Sequence, residues 1–240
     1  MKKIISIIID WFIAISISII IICSTVVIYT SSQKIINLTE TLKTPSYKYL
    51  KSVTVRLEHH YLDKITGRYM GWIGTGTIVK ITDDFTYVLT NKHVAPMNKS
   101  ILAIINDKEY DGKVIKNDPI YDLSLVSFRG KLPLKKAIKS ITTIEIPDNV
   151  FSVGMYRGLN FIYTDGKMAG EVDVDGKFSL IMNLPCAGGC SGAGIFNTNG
   201  DLVSVIYAGF IENEFAFDNT KSICIPSDVI KTFLKTCGIL

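Results

Sequence analysis

A chain of 240 residues, 48% hydrophobic and 20% charged, carries too much apolar material to stay disordered and enough to bury a core in one domain plus an appendage. Its net charge of +4 is modest and its lysines are scattered rather than clustered with aromatics, which excludes a nucleic-acid footprint. Five cysteines are too few for a disulfide scaffold, and neither they nor the three histidines fall at a zinc-binding spacing, so no metal or other cofactor is expected.

The first element is apolar. Met1-Lys-Lys precedes a run from Ile4 to Tyr29 interrupted only by Asp10. The 19 uncharged residues at 11–29 would span roughly 29 Å as a helix, close to the ~30 Å hydrocarbon core of a bilayer. Trp11 and Tyr29 fall where interfacial aromatics sit, and Asp10 lies near one interface. A cleaved signal peptide has a shorter apolar core and a small-residue site, and no clear Ala-x-Ala follows here. Residues 1–30 therefore read as a single-pass transmembrane anchor. Lys2 and Lys3 favour an inside N-terminus, with the rest of the chain extracytoplasmic. Residues 31–51, rich in Ser, Thr, Lys and Asn, read as a linker.

From 52 to 240 the pattern changes to short β-branched runs. A first set covers 53–57, 72–81, 87–89, 101–105 and 123–128, with breaks at Asp83-Asp84, Asp107 and Gly112. A second set covers 150–155, 167–174, 178–184, 194–196, 202–207 and 222–225, with hairpin signals at Asp175-Gly176 and Asn199-Gly200. Gly130, Pro133 and Pro147 divide the two sets. Many short strands without alternating helices predict an all-β barrel or sandwich. One soluble helix closes the chain, started by Pro226 and Ser227, with Val229, Ile230, Phe233 and Leu234 on its apolar face.

Three chemical groups stand at strand ends or tight turns. Leu89-Thr-Asn-Lys-His-Val94 ends a strand on His93, and Asp118-Pro-Ile-Tyr-Asp-Leu-Ser-Leu125 opens one on Asp122. Cys186-Ala-Gly-Gly-Cys-Ser-Gly-Ala-Gly-Ile195 places Ser191 in a turn of small residues whose N–H groups can converge on one point. Hydroxyl, imidazole and carboxylate together read as a serine peptidase triad. His59 and His60 are adjacent on an early strand, one facing in and one out. Asp118 competes with Asp122 but precedes Pro119 in a turn.

With Gly74-Thr-Gly-Thr-Ile-Val79, Val150-Phe-Ser-Val-Gly-Met155 and Ile225-Pro-Ser-Asp-Val-Ile230, these motifs resemble trypsin-like (chymotrypsin-fold) serine peptidases, nearest to the bacterial HtrA-like branch. The resemblance covers about residues 52–236, with 29 residues from His93 to Asp122 and 69 from Asp122 to Ser191. It implies two six-stranded β-barrels and the C-terminal helix. No PDZ-like module follows that helix, so the regulated oligomers of that branch are not carried over and the oligomeric state stays open. The expected activity is membrane-anchored hydrolysis of peptide bonds in a protein or peptide substrate.

The resemblance also implies roles. Gly189 and Ser191 would supply oxyanion N–H groups, with Cys190 between them. Pro185 would floor the primary specificity pocket beside Cys186, with Tyr207, Ala208 and Gly209 as its substrate-pairing wall. No acid stands at Pro185, so a small or apolar residue is expected there in place of Lys or Arg. The residue before the serine is often Asp or Asn in the family, and here it is Cys190; activity without N-terminal processing is expected. Cys190 itself is an alternative nucleophile, as in viral cysteine peptidases of this fold, although Gly-x-Ser-Gly favours Ser191. Cys186 and Cys224 either form one bridge or stay free with Cys190 and Cys237. The alternative from another class is an inactive binding or scaffold protein on the same fold.

Overall fold

The structure, a computed structural model, describes residues 2–41, 44–62, 69–97, 99–213 and 216–240. The chain falls into two units, Met1–Lys43 and Thr44–Leu240.

The first unit is one helix, α1 (Lys2–Thr41). Its stretch Ile15–Ile35, 21 residues with none buried, is long and apolar enough by length and composition to cross a membrane. Helix continues through residues 31–41, which the polar composition assigned to a linker; Thr30 Oγ1 donates back to Val26 O at 3.0 Å, a local bond compatible with continued helix.

In the second unit, α2 (Tyr47–Val53) starts at Ser46, whose hydroxyl accepts from Tyr49 N at 3.2 Å. Leu50 and Val53 are fully buried, so part of the expected linker belongs to the core, and a cut at 52 would divide α2. The first barrel contains β1 (Thr54–Leu62), β2 (Tyr69–Ile81), β3 (Phe85–Thr90), β4 (Ile101–Ile105), β5 (Lys108–Asn117) and β6 (Ser124–Arg129), closed in the order β1-β2-β3-β6-β5-β4. The second contains β7 (Asn149–Tyr156), β8 (Leu159–Val174), β9 (Lys177–Asn183), β10 (Gly194–Phe196), β11 (Leu202–Asn213) and β12 (Ala216–Pro226), closed as β10-β11-β12-β9-β8-β7. The helix α3 (Ser227–Thr236) follows. All pairings within the barrels are antiparallel.

Period-2 alternation assigns each strand two apolar faces. Val55, Leu57, Ile78, Val88 and Val126 fill the first barrel, and Val150, Met182, Ile195 and Val203 fill the second. Val79, Leu89, Leu125, Val153 and Phe196 face out of their barrels and join Leu50, Phe233 and Leu234 in a third cluster. That cluster ties both barrels to α2 and α3.

The composition hid β5. Its burial is mostly exposed or partial, with Val114 its one fully inward side chain, and Gly112 reads as a break. Gly112 instead sits within the strand, paired with Phe128 and Ile101, where a Cβ would lie 2.5 Å from the Phe128 ring and 2.9 Å from Val126. Gly112→Ala is therefore expected to destabilise the domain by about 1–3 kcal/mol through overpacking. A urea midpoint that falls at constant slope checks it.

Candidate active site

Strand β2 shows how the two barrels meet. Gly74 and Gly76 face the first barrel's interior, where a Cβ would strike Val94 at 2.5 Å or Val88 at 2.3 Å. Thr75 and Thr77 point the opposite way, toward the second barrel, and are fully buried. Buried hydroxyls need partners, and Thr75 finds them across the interface. Its Oγ1 donates to Gly189 O at 2.7 Å and accepts from Met155 N at 2.9 Å. Its N–H donates to Ser191 O at 2.8 Å, while its carbonyl accepts from Thr90 Oγ1 at 2.7 Å. Thr77 Oγ1 adds a longer bond to Gly192 O at 3.3 Å.

The loop around Ser191 is held equally from its own barrel. Arg157 N donates to Gly188 O at 2.8 Å, Cys190 N to Ala187 O at 3.0 Å, and Gly192 N to Ile206 O at 2.9 Å. Gly189 (φ +103°) and Gly192 (φ +85°) occupy backbone conformations that favour glycine, and at Gly192 a Cβ would lie 2.0 Å from Thr75 O. Neither the N–H of Gly189 nor that of Ser191 donates to another group among the described residues, whereas the N–H of Cys190 between them is engaged.

His93 and Asp122 come together. After β3 ends at Thr90, Asn91 O accepts from Val94 and Ala95 N–H in a tight turn, and Asn91 Nδ2 donates to Asp122 O at 2.8 Å. One Asp122 oxygen accepts from His93 N at 3.0 Å, and the other meets His93 Nδ1 at 2.5 Å. Both carboxylate oxygens thus fix one histidine, whose side chain is half-exposed. No hydrogen bond joins Ser191 Oγ to His93 among the described residues. Ser191 is tied to the same strand end through Thr75, which donates its N–H to Ser191 O and accepts at its carbonyl from Thr90, three residues before His93.

The competing residues have other partners. Asp118 Oδ1 accepts from Ile120 N at 2.8 Å and Tyr121 N at 2.7 Å, an Asx turn. His59 is buried against Trp72, ring centroids 4.5 Å apart, with Nδ1 2.7 Å from Ser100 O. His60 pairs with Glu58 at 2.6 Å.

All five cysteines are free, so the Cys186–Cys224 bridge is absent. Cys190 is buried and donates its thiol to Met155 O at 3.2 Å. Cys186 is raised by its hydrogen bond with Cys190 and by burial, and burial pushes Cys224 up to about 12. Of the expected specificity residues, Pro185 is exposed and so does not form an enclosed floor, while Cys186 is buried beside it. Tyr207, Ala208 and Gly209 are partly exposed on β11, and Tyr207 Oη lies 3.2 Å from Ser179 Oγ. Thr75, Thr90 and Met155 have no assigned task in the motif reading. The signal for Thr75 was its alternation with glycine, which puts two hydroxyls on one buried face.

Comparison with known proteins follows the same lines. A family model described as trypsin-like peptidase domain matches residues 74–205. A serine protease HtrA-like protein of Staphylococcus aureus (strain USA300) is 26% identical over 68% of this chain, an alignment spanning only 23% of that protein. The HtrA-type protease AlgW, solved with a decapeptide, shares the fold at a TM-score of 0.65 and 17% identity, covering 80% of this chain and 67% of its own. Rv3671c of M. tuberculosis, solved as an inactive mutant, gives a TM-score of 0.61 at 17% identity, covering 79% and 88%.

Proposed function

The chain belongs to the trypsin-like peptidase family, and on that footing we propose that it is a serine endopeptidase held at a membrane by α1. Ser191 Oγ attacks the scissile carbonyl, and His93 Nε2 takes its proton and returns it to the leaving amine. Asp122 keeps the imidazole proton on Nδ1 and stabilises the imidazolium that forms. The N–H groups of Gly189 and Ser191 receive the developing oxyanion.

The observation that carries this reading is the Asp122 carboxylate gripping both the ring and the backbone of His93. The N–H groups on either side of Cys190, which donate to nothing among the described residues, support the oxyanion assignment. Ser191 is favoured over Cys190 because the buried thiol is already bonded to Met155 O; a thiolate nucleophile would have to leave that bond and lose its proton. The substrate is a protein or peptide, as the AlgW complex with a decapeptide suggests by analogy. Lys2 and Lys3 support an extracytoplasmic catalytic unit.

The unmade bond between Ser191 and His93 favours a second reading, a binding protein on a peptidase fold. Catalytic hydrogen bonds often tighten only with substrate bound, so experiment separates the two. The full-length protein in neutral detergent is expected to cleave casein and to take up a serine-directed fluorophosphonate at Ser191, with iodoacetamide leaving both unchanged. Loss of cleavage on thiol alkylation alone would transfer the role to Cys190. Neither labelling nor cleavage would leave the binding protein.

A further inference from the structure

A concavity of about 800 Å³ in the second unit lies away from the His93–Asp122 pair. It is walled by α2, by the β4–β5 turn, by residues 133–136 and by Phe161. Four lysines line it, Lys48, Lys51, Lys135 and Lys136, and among the described residues no Asp or Glu does.

Two of those cations share one ring. Lys51 Nζ lies 5.0 Å and Lys135 Nζ 4.8 Å from the Phe161 centroid. Lys135 is held in place by its bonds to the carbonyls of Lys51, at 3.0 Å, and Thr54. Burial, reinforced by the charge of Lys51, pushes Lys135 down to about 8. Neither lysine forms an ion pair among the described residues. An anion seated between them would relieve their repulsion.

Beside Ser46, Ser52 and Asn106, the wall also carries apolar side chains. Leu134 is 82% exposed at the rim and Tyr47 is exposed beside it. Leu134 (φ +58°) and Phe161 (φ +55°) both hold the left-handed conformation that such side chains avoid. The bond from Lys136 N to Ser52 O at 2.9 Å pins the Leu134 loop against α2.

We propose that this pocket binds an anionic phospholipid, with the phosphate between Lys51 and Lys135 and the acyl portion against Leu134, Tyr47 and Phe161. A free phosphate has no use for the exposed leucine. An acidic soluble peptide would match the lysines but leave Leu134, Tyr47 and Phe161 uncovered, whereas an anionic phospholipid supplies both the phosphate and the acyl chains that these side chains call for. The lipid site goes beyond the catalytic reading and does not rest on it.

Amide exchange of the full-length protein in neutral-detergent micelles tests it, with short-chain phosphatidylglycerol, short-chain phosphatidylcholine, inorganic phosphate or polyglutamate added in turn. Phosphatidylglycerol at ten times its dissociation constant should slow exchange at 47–53 and 134–136 about tenfold. Lys51→Gln, at an exposed position, should abolish the slowing. Equal slowing by phosphatidylcholine, slowing by phosphate or polyglutamate, persistence in Lys51→Gln, or no slowing by phosphatidylglycerol would each overturn the proposal. Proteolysis is not the readout, so this result and the casein result stand or fall separately.

Discussion

Ser191→Ala is expected to lower kcat on a peptide substrate by about a millionfold while leaving the unfolding midpoint within about 0.5 kcal/mol of wild type. The rate effect is large because removing the nucleophile closes the covalent route and leaves only binding and oxyanion stabilisation. The stability effect is small because the structural work of this residue is done by its backbone: Ser191 O accepts from Thr75 N, a bond alanine keeps. The Oγ itself forms no hydrogen bond among the described residues, so none is lost. Matched kinetics and thermal melts of the two proteins check both halves. A variant with undiminished turnover would remove Ser191 from the chemistry.

Thr75→Val should also be severe, through another route. Valine keeps the shape and the β propensity but removes the hydroxyl, leaving Gly189 O without its donor and Met155 N without its acceptor. Each newly unsatisfied buried group costs about 1–3 kcal/mol. The freed carbonyl belongs to the peptide unit lying between the two proposed oxyanion donors, so its release lets both drift. A displacement near 1 Å lowers turnover about a hundredfold. The expected pattern is a fall in kcat with little change in KM, measured well below the melting temperature. Thr75→Ser, which retains the hydroxyl, should restore most of it. A residue that only stabilised the fold would lower the melting temperature and leave kcat in folded protein intact.

The strand-end residues were legible because local chemistry marks them. His93 and Asp122 flank β-branched runs, and Asp175 and Gly176 both adopt positive φ in the hairpin their sequence announces. The apolar face of α3 needed only helical periodicity. What escaped was decided by partners distant in sequence. Strand β5 carries charges outward and a glycine inward, and only Phe128 and Val126 on the neighbouring strand β6 explain that glycine. α2 is too short for periodicity to reveal, and its burial depends on the cluster both barrels build. Thr75 looked like one residue of a glycine-rich strand, because its partners Met155 and Gly189 lie in the other half of the chain. The polar stretch at 31–41 has weak helical preference of its own, and composition alone made it a linker.

The division of labour across β2 also bears on when the proposed triad could assemble. His93 and Asp122 leave the ribosome with the earlier barrel, and Ser191 emerges with the later one, so neither half alone holds the whole proposed triad. The Ser191 loop is clamped from outside by Thr75, whose hydroxyl has a carbonyl to grip only after the C-terminal strands have docked. On the proposed reading, a nascent or half-folded copy would therefore be harmless to neighbouring chains until the later barrel docks.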